Sequence, residues 1–226
     1  MPLETSKEPF LFKTELSLVT LTGFKATDIR ELCDGLKKVP DACIYYHTHN
    51  FLQQHQFLVQ EPPNDFAYWA THILNESKIG ERLASIDTVR FHSLENLRSE
   101  LIAAIEPFLN EKDILRRIYP EQEFHFMKSV LFILPTSYTA STLREFIECL
   151  KNVSLYSLYY HLFDTRLRTP SHINDFSVFL GRLGEKAIAR EVERLDPYSQ
   201  TMEDVRRRII RLLERRLKEE PYVTAK

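Results

Sequence analysis

One short pattern occurs twice in this chain and limits what it can fold into. Tyr45-Tyr46-His47 is followed by Asn64-Asp65-Phe66, and Tyr159-Tyr160-His161 is followed by Asn174-Asp175-Phe176. The agreement extends to both sides. Ile29, Leu32, Cys33 and Leu36 find apolar counterparts in Leu143, Phe146, Ile147 and Leu150, and Phe66, Trp69, Ala70 and Ile73 find theirs in Phe176, Phe179, Leu180 and Leu183. Apolar residues recurring at three- and four-residue intervals mark one face of a helix. The expected fold class is therefore mainly α: two tandem homologous helical modules related by a pseudo-twofold, with room for one short β-strand per module. The expected boundaries are an N-terminal tail at 1–9, a first module at 10–110, a connector at 111–123, a second module at 124–220 and a C-terminal tail at 221–226.

Within each module the elements read in the same order. Phe10, Phe12, Leu16 and Leu18 alternate with Lys13, Glu15 and Ser17, as do Phe124, Phe126, Val130 and Phe132 with their neighbours. Alternation favours a strand in each case, with a short helix as the alternative, and Pro135 is expected to end the second run. A helix over residues 27–38 starts at Thr27 as its cap. A second runs from Pro40 or Asp41 to about Leu58, placing Ile44, His47, Phe51, His55 and Leu58 on one stripe. After a loop at Glu61-Pro62-Pro63, or at Arg168-Thr169-Pro170, the Asn-Asp pairs open the third helix as caps. Short segments around Ile79 and Ile188 follow. Last come helices capped by Ser93 and Thr201, the first expected to end at Pro107.

Composition narrows the class. Five glycines are too few for the turns of a sandwich or the loops of a dinucleotide-binding fold. Cys33, Cys43 and Cys149 form no CxxC pair and no zinc spacing, which suggests thiols buried in a reducing compartment. The first residues carry no basic-then-apolar leader pattern, and no run approaches a membrane span. A cytoplasmic protein with no membrane association is the expectation. A formal net charge of −2 disfavours nucleic acid, and the arginines of the last helix are largely offset by Glu203, Asp204, Glu214, Glu219 and Glu220.

The residues able to carry chemistry are few. His47 and His161, with Asp65 and Asp175, could assemble a metal or acid/base site, with His55 or Asp164 as further donors. The competing structural account makes each histidine a buried ring that ties its helix to a capped helix start. No HExxH or ExxH spacing is present, so no metal and no cofactor are expected. His49, His72, His92 and His172 are assigned surface or loop roles. Tyr46, Tyr160 and Trp69 are candidate walls of a ligand-binding groove, and Arg166 and Arg168 are candidates for holding an anion.

Tyr45-Tyr46-His47, Asn64-Asp65-Phe66-Ala67-Tyr68-Trp69 and Asp196-Pro197-Tyr198 give the chain a layout that resembles a family of bacterial proteins known as a domain of unknown function. The resemblance spans most of residues 10–217 and implies no activity. The functional expectation is a non-catalytic binding or regulatory protein presenting a helical groove to a protein partner or small ligand, compatible with a homodimer. The alternatives are a metal-dependent or acid/base enzyme built on the repeated His and Asp residues, and an anion-binding module at Arg166 and Arg168. Catalysis is left open, with the balance against it.

Overall fold

Alternating hydrophobicity at residues 10–18 and 124–132 continues into runs rich in β-branched residues, Val19-Thr20-Leu21-Thr22 and Ile133-Leu134-Pro135-Thr136. Such runs suit an extended chain. A computed structural model of the chain describes residues 5–50, 63–111, 115–168, 172–196 and 200–219. In it both runs are strands of 17 residues, β1 (Phe10–Ala26) and β2 (Phe124–Ala140). They pair antiparallel as a two-stranded sheet. Ser17 Oγ meets Ser129 Oγ at 2.7 Å, Thr22 Oγ1 donates to the Phe126 carbonyl at 2.6 Å, and Thr136 Oγ1 donates to the Phe12 carbonyl at 2.8 Å.

This sheet overturns the expected fold class. The chain is a mixed α/β protein, not a mainly α pair of tandem modules under a pseudo-twofold. The strands are not short accessories of one helical block each. One compact unit comprises Met1–Leu16 and Ile133–Lys226, and the other comprises Ser17–Phe132, so each strand contributes residues to both units. Pro135 does not end β2. It is exposed, and a strand of a two-stranded sheet has one edge where a missing N–H costs no ladder bond.

In the Ser17–Phe132 unit, α1 (Ile29–Lys38) buries Ile29, Leu32, Cys33 and Leu36. Its cap is Asp28 rather than Thr27: Asp28 accepts the Glu31 amide, while Thr27 gives its N–H and O–H to the Glu31 carboxylate at 2.8 Å. Next come α2 (Asp41–Tyr45), α3 (Asp65–Tyr68), α4 (Ser77–Ala84) and α5 (Leu94–Glu111). Pro107 lies inside α5 and does not stop it. The core joins the apolar faces of these helices to Phe124 and Phe126 of β2. Arg98 of α5, 8% exposed, donates to the Leu36 carbonyl and to Asp41 Oδ1 at 2.6 Å, which ties α5 to the end of α1 and the start of α2.

The other unit carries α6 (Leu143–Asn152), α7 (Leu155–Tyr159), α8 (Thr165–Arg168), α9 (Asp175–Arg182), α10 (Lys186–Glu193) and α11 (Met202–Lys218), and Phe10 and Phe12 of β1 pack on Phe146 of α6 and Phe176 of α9. Phe12 lies 5.4 Å from Phe146, which lies 5.1 Å from Phe176. Arg206 of α11 donates to the Val153 carbonyl at 2.8 Å beyond the end of α6.

Gly35 shows how tightly β2 is held. A Cβ there would fall inside contact distance of Cε2 and Cζ of Phe126, a fully buried ring. Gly35→Ala should therefore destabilise the protein by about 1–2 kcal/mol, overpacking outweighing the roughly 1 kcal/mol gain in helix propensity. In urea denaturation, Phe126→Leu should absorb part of that loss in the double variant. A more stable Gly35→Ala protein would show that β2 does not press on α1.

Candidate functional site

The helical period breaks where the chemistry-bearing residues sit. α2 widens without interruption into a π-helical turn (Tyr46–Asn50), α3 into another (Trp69–Ile73) and α7 into a third (Tyr160–Asp164). Such turns are uncommon and are frequent near functional sites. Ile44 and His47 of the expected stripe are buried, but burial is not confined to it: His47, Thr48, His49 and Asn50 are all buried in succession. His55, with Phe51 and Leu58, lies outside the described residues.

His47 is 2% exposed. Its Nδ1 stands 2.7 Å from Asp65 Oδ2, and its Nε2 accepts the Met127 backbone N–H of β2 at 2.9 Å. Phe124 and Phe66 pack on the ring at 4.6 and 5.3 Å. In the other unit His161, 1% exposed, places Nδ1 2.7 Å from Asp175 Oδ2 and accepts the Lys13 N–H of β1 on Nε2 at 2.8 Å. Ser157 Oγ donates to the carbonyl of the same Lys13 at 2.7 Å, and Phe10 and Phe176 flank the ring. Asn64 and Asn174 cap α3 and α9 by accepting the Ala67 and Ser177 amides, each at 2.8 Å, which puts Asp65 and Asp175 in the first turns.

This geometry fixes the state of both rings. An Nε2 that faces a backbone donor must carry a lone pair, so the proton sits on Nδ1 and points at the carboxylate. A metal ion would need that same lone pair. Among the described residues no three His, Cys, Asp or Glu side chains form a group able to hold a metal ion. His49, expected near the surface, is buried at 1%, stacked on Tyr45 with ring centroids 5.5 Å apart and with Nδ1 3.0 Å from Thr48 Oγ1. Asp164 is buried, His72 and His92 are exposed, and His172 sits with Nδ1 3.0 Å from the Arg166 carbonyl oxygen.

Of the expected ligand-binding residues, Tyr46 and Trp69 belong to the Ser17–Phe132 unit and Tyr160 and Arg166 to the other. Tyr46 is half-buried against the edge of His47, and burial followed by the Asp65 charge pushes its phenol up. Tyr160 is buried beside His161. Trp69 is buried and donates its indole N–H to the Gln122 carbonyl at 3.0 Å. Arg166 donates to the Glu193 carbonyl and lies 5.8 Å from the centre of the Phe163 ring. The side chain of Arg168 lies outside the described residues. All three thiols are free and buried, and burial pushes that of Cys43 up to about 11.

Sequence reasoning missed a cleft on the Ser17–Phe132 unit. It encloses about 480 Å³ between the end of the Trp69–Ile73 turn and residues 116–122, and its walls include His72, Asn75, Arg116, Arg117, Tyr119 and Gln122. Arg116 Nη1 donates to the carbonyls of Leu74 at 3.3 Å and Asn75 at 3.0 Å. Arg117 turns away to Glu31 at 3.1 Å and Thr27 Oγ1 at 2.7 Å. Tyr119 is 82% exposed. The available signal was the run Arg116-Arg117-Ile118-Tyr119, a basic pair beside an aromatic in a segment read only as a connector.

Burial holds both His47 and His161 below the ordinary histidine range, against the raising influence of Asp65 and Asp175. The folded rings thus bind fewer protons than the unfolded ones, whose reference value is 6.5. Their contribution to stability is complete above that value and is lost as pH falls through the lower folded pKa. Urea midpoints should therefore begin to fall as the pH drops below 6.5, above the range in which Glu31, Glu145 and Asp204 titrate, since their pKa values are lowered from 4.5, 4.5 and 3.8. The His47→Gln/His161→Gln variant, which can still accept the strand amides, should show a flatter profile. Equal slopes in both proteins would exclude the histidines as the source.

With this geometry in hand, comparisons with known proteins place the chain. No curated protein matches it. A solved structure described as "The structure of OrfY from Thermoproteus tenax" is similar, with a TM-score of 0.79 and 27% identity over 94% of this chain and 97% of that one. Residues 7–214 match the model of DUF5752, a family of unknown function. The chain belongs to that family.

Proposed function

We propose that this is a cytoplasmic, non-catalytic binding or regulatory protein that recognises a small ligand or a protein partner. The observation that carries the reading is the full engagement of both histidines. Each imidazole spends Nδ1 on a carboxylate and Nε2 on a strand amide, and each neighbouring Asn serves as a helix cap. A metal-dependent or acid/base enzyme built on these residues would need an Nε2 released from the backbone. The buried thiols are raised by desolvation, which does not favour a cysteine nucleophile. Among the described residues no helix is long and apolar enough to cross a membrane.

Binding without turnover is the expected behaviour. Ligand-observed NMR on a panel of small phosphorylated and carboxylated compounds should show saturation transfer to at least one, with its own spectrum unchanged over a day. New product signals whose rate of appearance drops in the His47→Gln/His161→Gln variant would overturn the proposal in favour of catalysis.

A further inference from the structure

We infer that the cleft beside Arg116 is a binding site for a small organic phosphate, an inference that rests on reading the chain as a binding protein. Its volume, about 480 Å³, is in the range of small-molecule sites. Among the described residues its walls carry two arginines, one histidine and no aspartate or glutamate. The two guanidinium groups differ in what surrounds them. Arg117 is matched by Glu31 at 3.1 Å and Asp28 at 3.8 Å. Arg116 has no carboxylate partner among the described residues. It is held in place instead by two carbonyls, both taken by the single atom Nη1.

An arginine fixed through one nitrogen keeps Nε and Nη2 as an oriented pair of donors. That fork matches two oxygens of a tetrahedral anion. The carbonyls that hold it belong to the chain leaving the Trp69–Ile73 π turn, where Asn75 adopts a positive φ of 56°. His72 and the second N–H of the Asn75 amide, whose Nδ2 donates to the Ile73 carbonyl at 3.3 Å, add donors to the same walls. Tyr119, 82% exposed, together with Ile73 and Ile118 on those walls, supplies apolar surface for the body of the ligand. A bare anion would use only the donors, whereas an aromatic phosphate would also use the ring.

Trp69 is the chain's single tryptophan, and its indole N–H is bonded to the carbonyl of Gln122, a residue of the cleft wall. The indole N–H resonance therefore reports on this cleft. The probes are inorganic phosphate and phenyl phosphate, each titrated into the ¹⁵N-labelled full chain. Both should shift that resonance saturably, phenyl phosphate at lower concentration. Arg116→Gln and Arg116→Lys should each weaken binding about tenfold or more, through loss of the charged fork. Tyr119→Ala should weaken phenyl phosphate several-fold and leave inorganic phosphate unchanged, while Arg144→Gln on the other unit should change neither. Lack of a saturable shift with either probe overturns the assignment, as does a shift that persists in both Arg116 variants. Binding that survives in those variants without turnover places the ligand elsewhere and leaves the binding-protein reading standing. Release of phenol from phenyl phosphate overturns that reading instead.

Discussion

A strand edge turned toward helices needs acceptors that helices do not offer from their sides. Met127 of β2 and Lys13 of β1 each direct a backbone N–H at a helix face, where leaving it unsatisfied costs on the order of 1–3 kcal/mol. An imidazole Nε2 resolves the problem in both units. Because the ring's other nitrogen is bound to an aspartate in the first turn of the next helix, one side chain connects three elements: the strand edge, the π turn that carries the histidine, and a capped helix N-terminus. The aromatic rings of β1 and β2 that fill each core lie next to the amides so bound. Without that acceptor, docking Phe124 and Phe126, or Phe10 and Phe12, would bury an orphaned donor.

The arrangement also shows what a conspicuous His/Asp pattern can do for the fold itself. A catalytic histidine oriented by a carboxylate keeps its second nitrogen for substrate. Here the second nitrogen is held by main chain, and the surrounding phenylalanines keep the ring dry. Spacing alone cannot separate these two uses, because the residue that decides between them, Met127 or Lys13, lies far away in sequence and contributes only its amide.

Local signals were the legible ones. Asn64, Asn174 and Thr201 act as caps where their residue types suggest, and the apolar stripes of α1, α6 and α9 are buried as their spacing requires. What failed was every inference that extended a local rule past a tertiary contact. Pro107 was read as a stop, yet α5 continues through it, and Pro135 was read as a stop although it occupies a position where no ladder bond is lost. The 3.6-residue period was carried through Tyr46–Asn50, where a π turn buries consecutive residues and takes His49 inside. The cleft was invisible for a similar reason: Arg116 acquires its orientation from the carbonyls of Leu74 and Asn75, which no motif in residues 111–123 announces.

The division of each strand between two units bears on how the chain can be made. The Ser17–Phe132 unit is continuous in sequence, so everything it needs is available once residue 132 has left the ribosome. Phe10 and Phe12 precede that unit in the chain, but their partners Phe146, His161 and Phe176 follow it. The apolar start of β1 must wait for its place while a whole intervening unit is synthesised, which makes it a natural client for a chaperone in that interval.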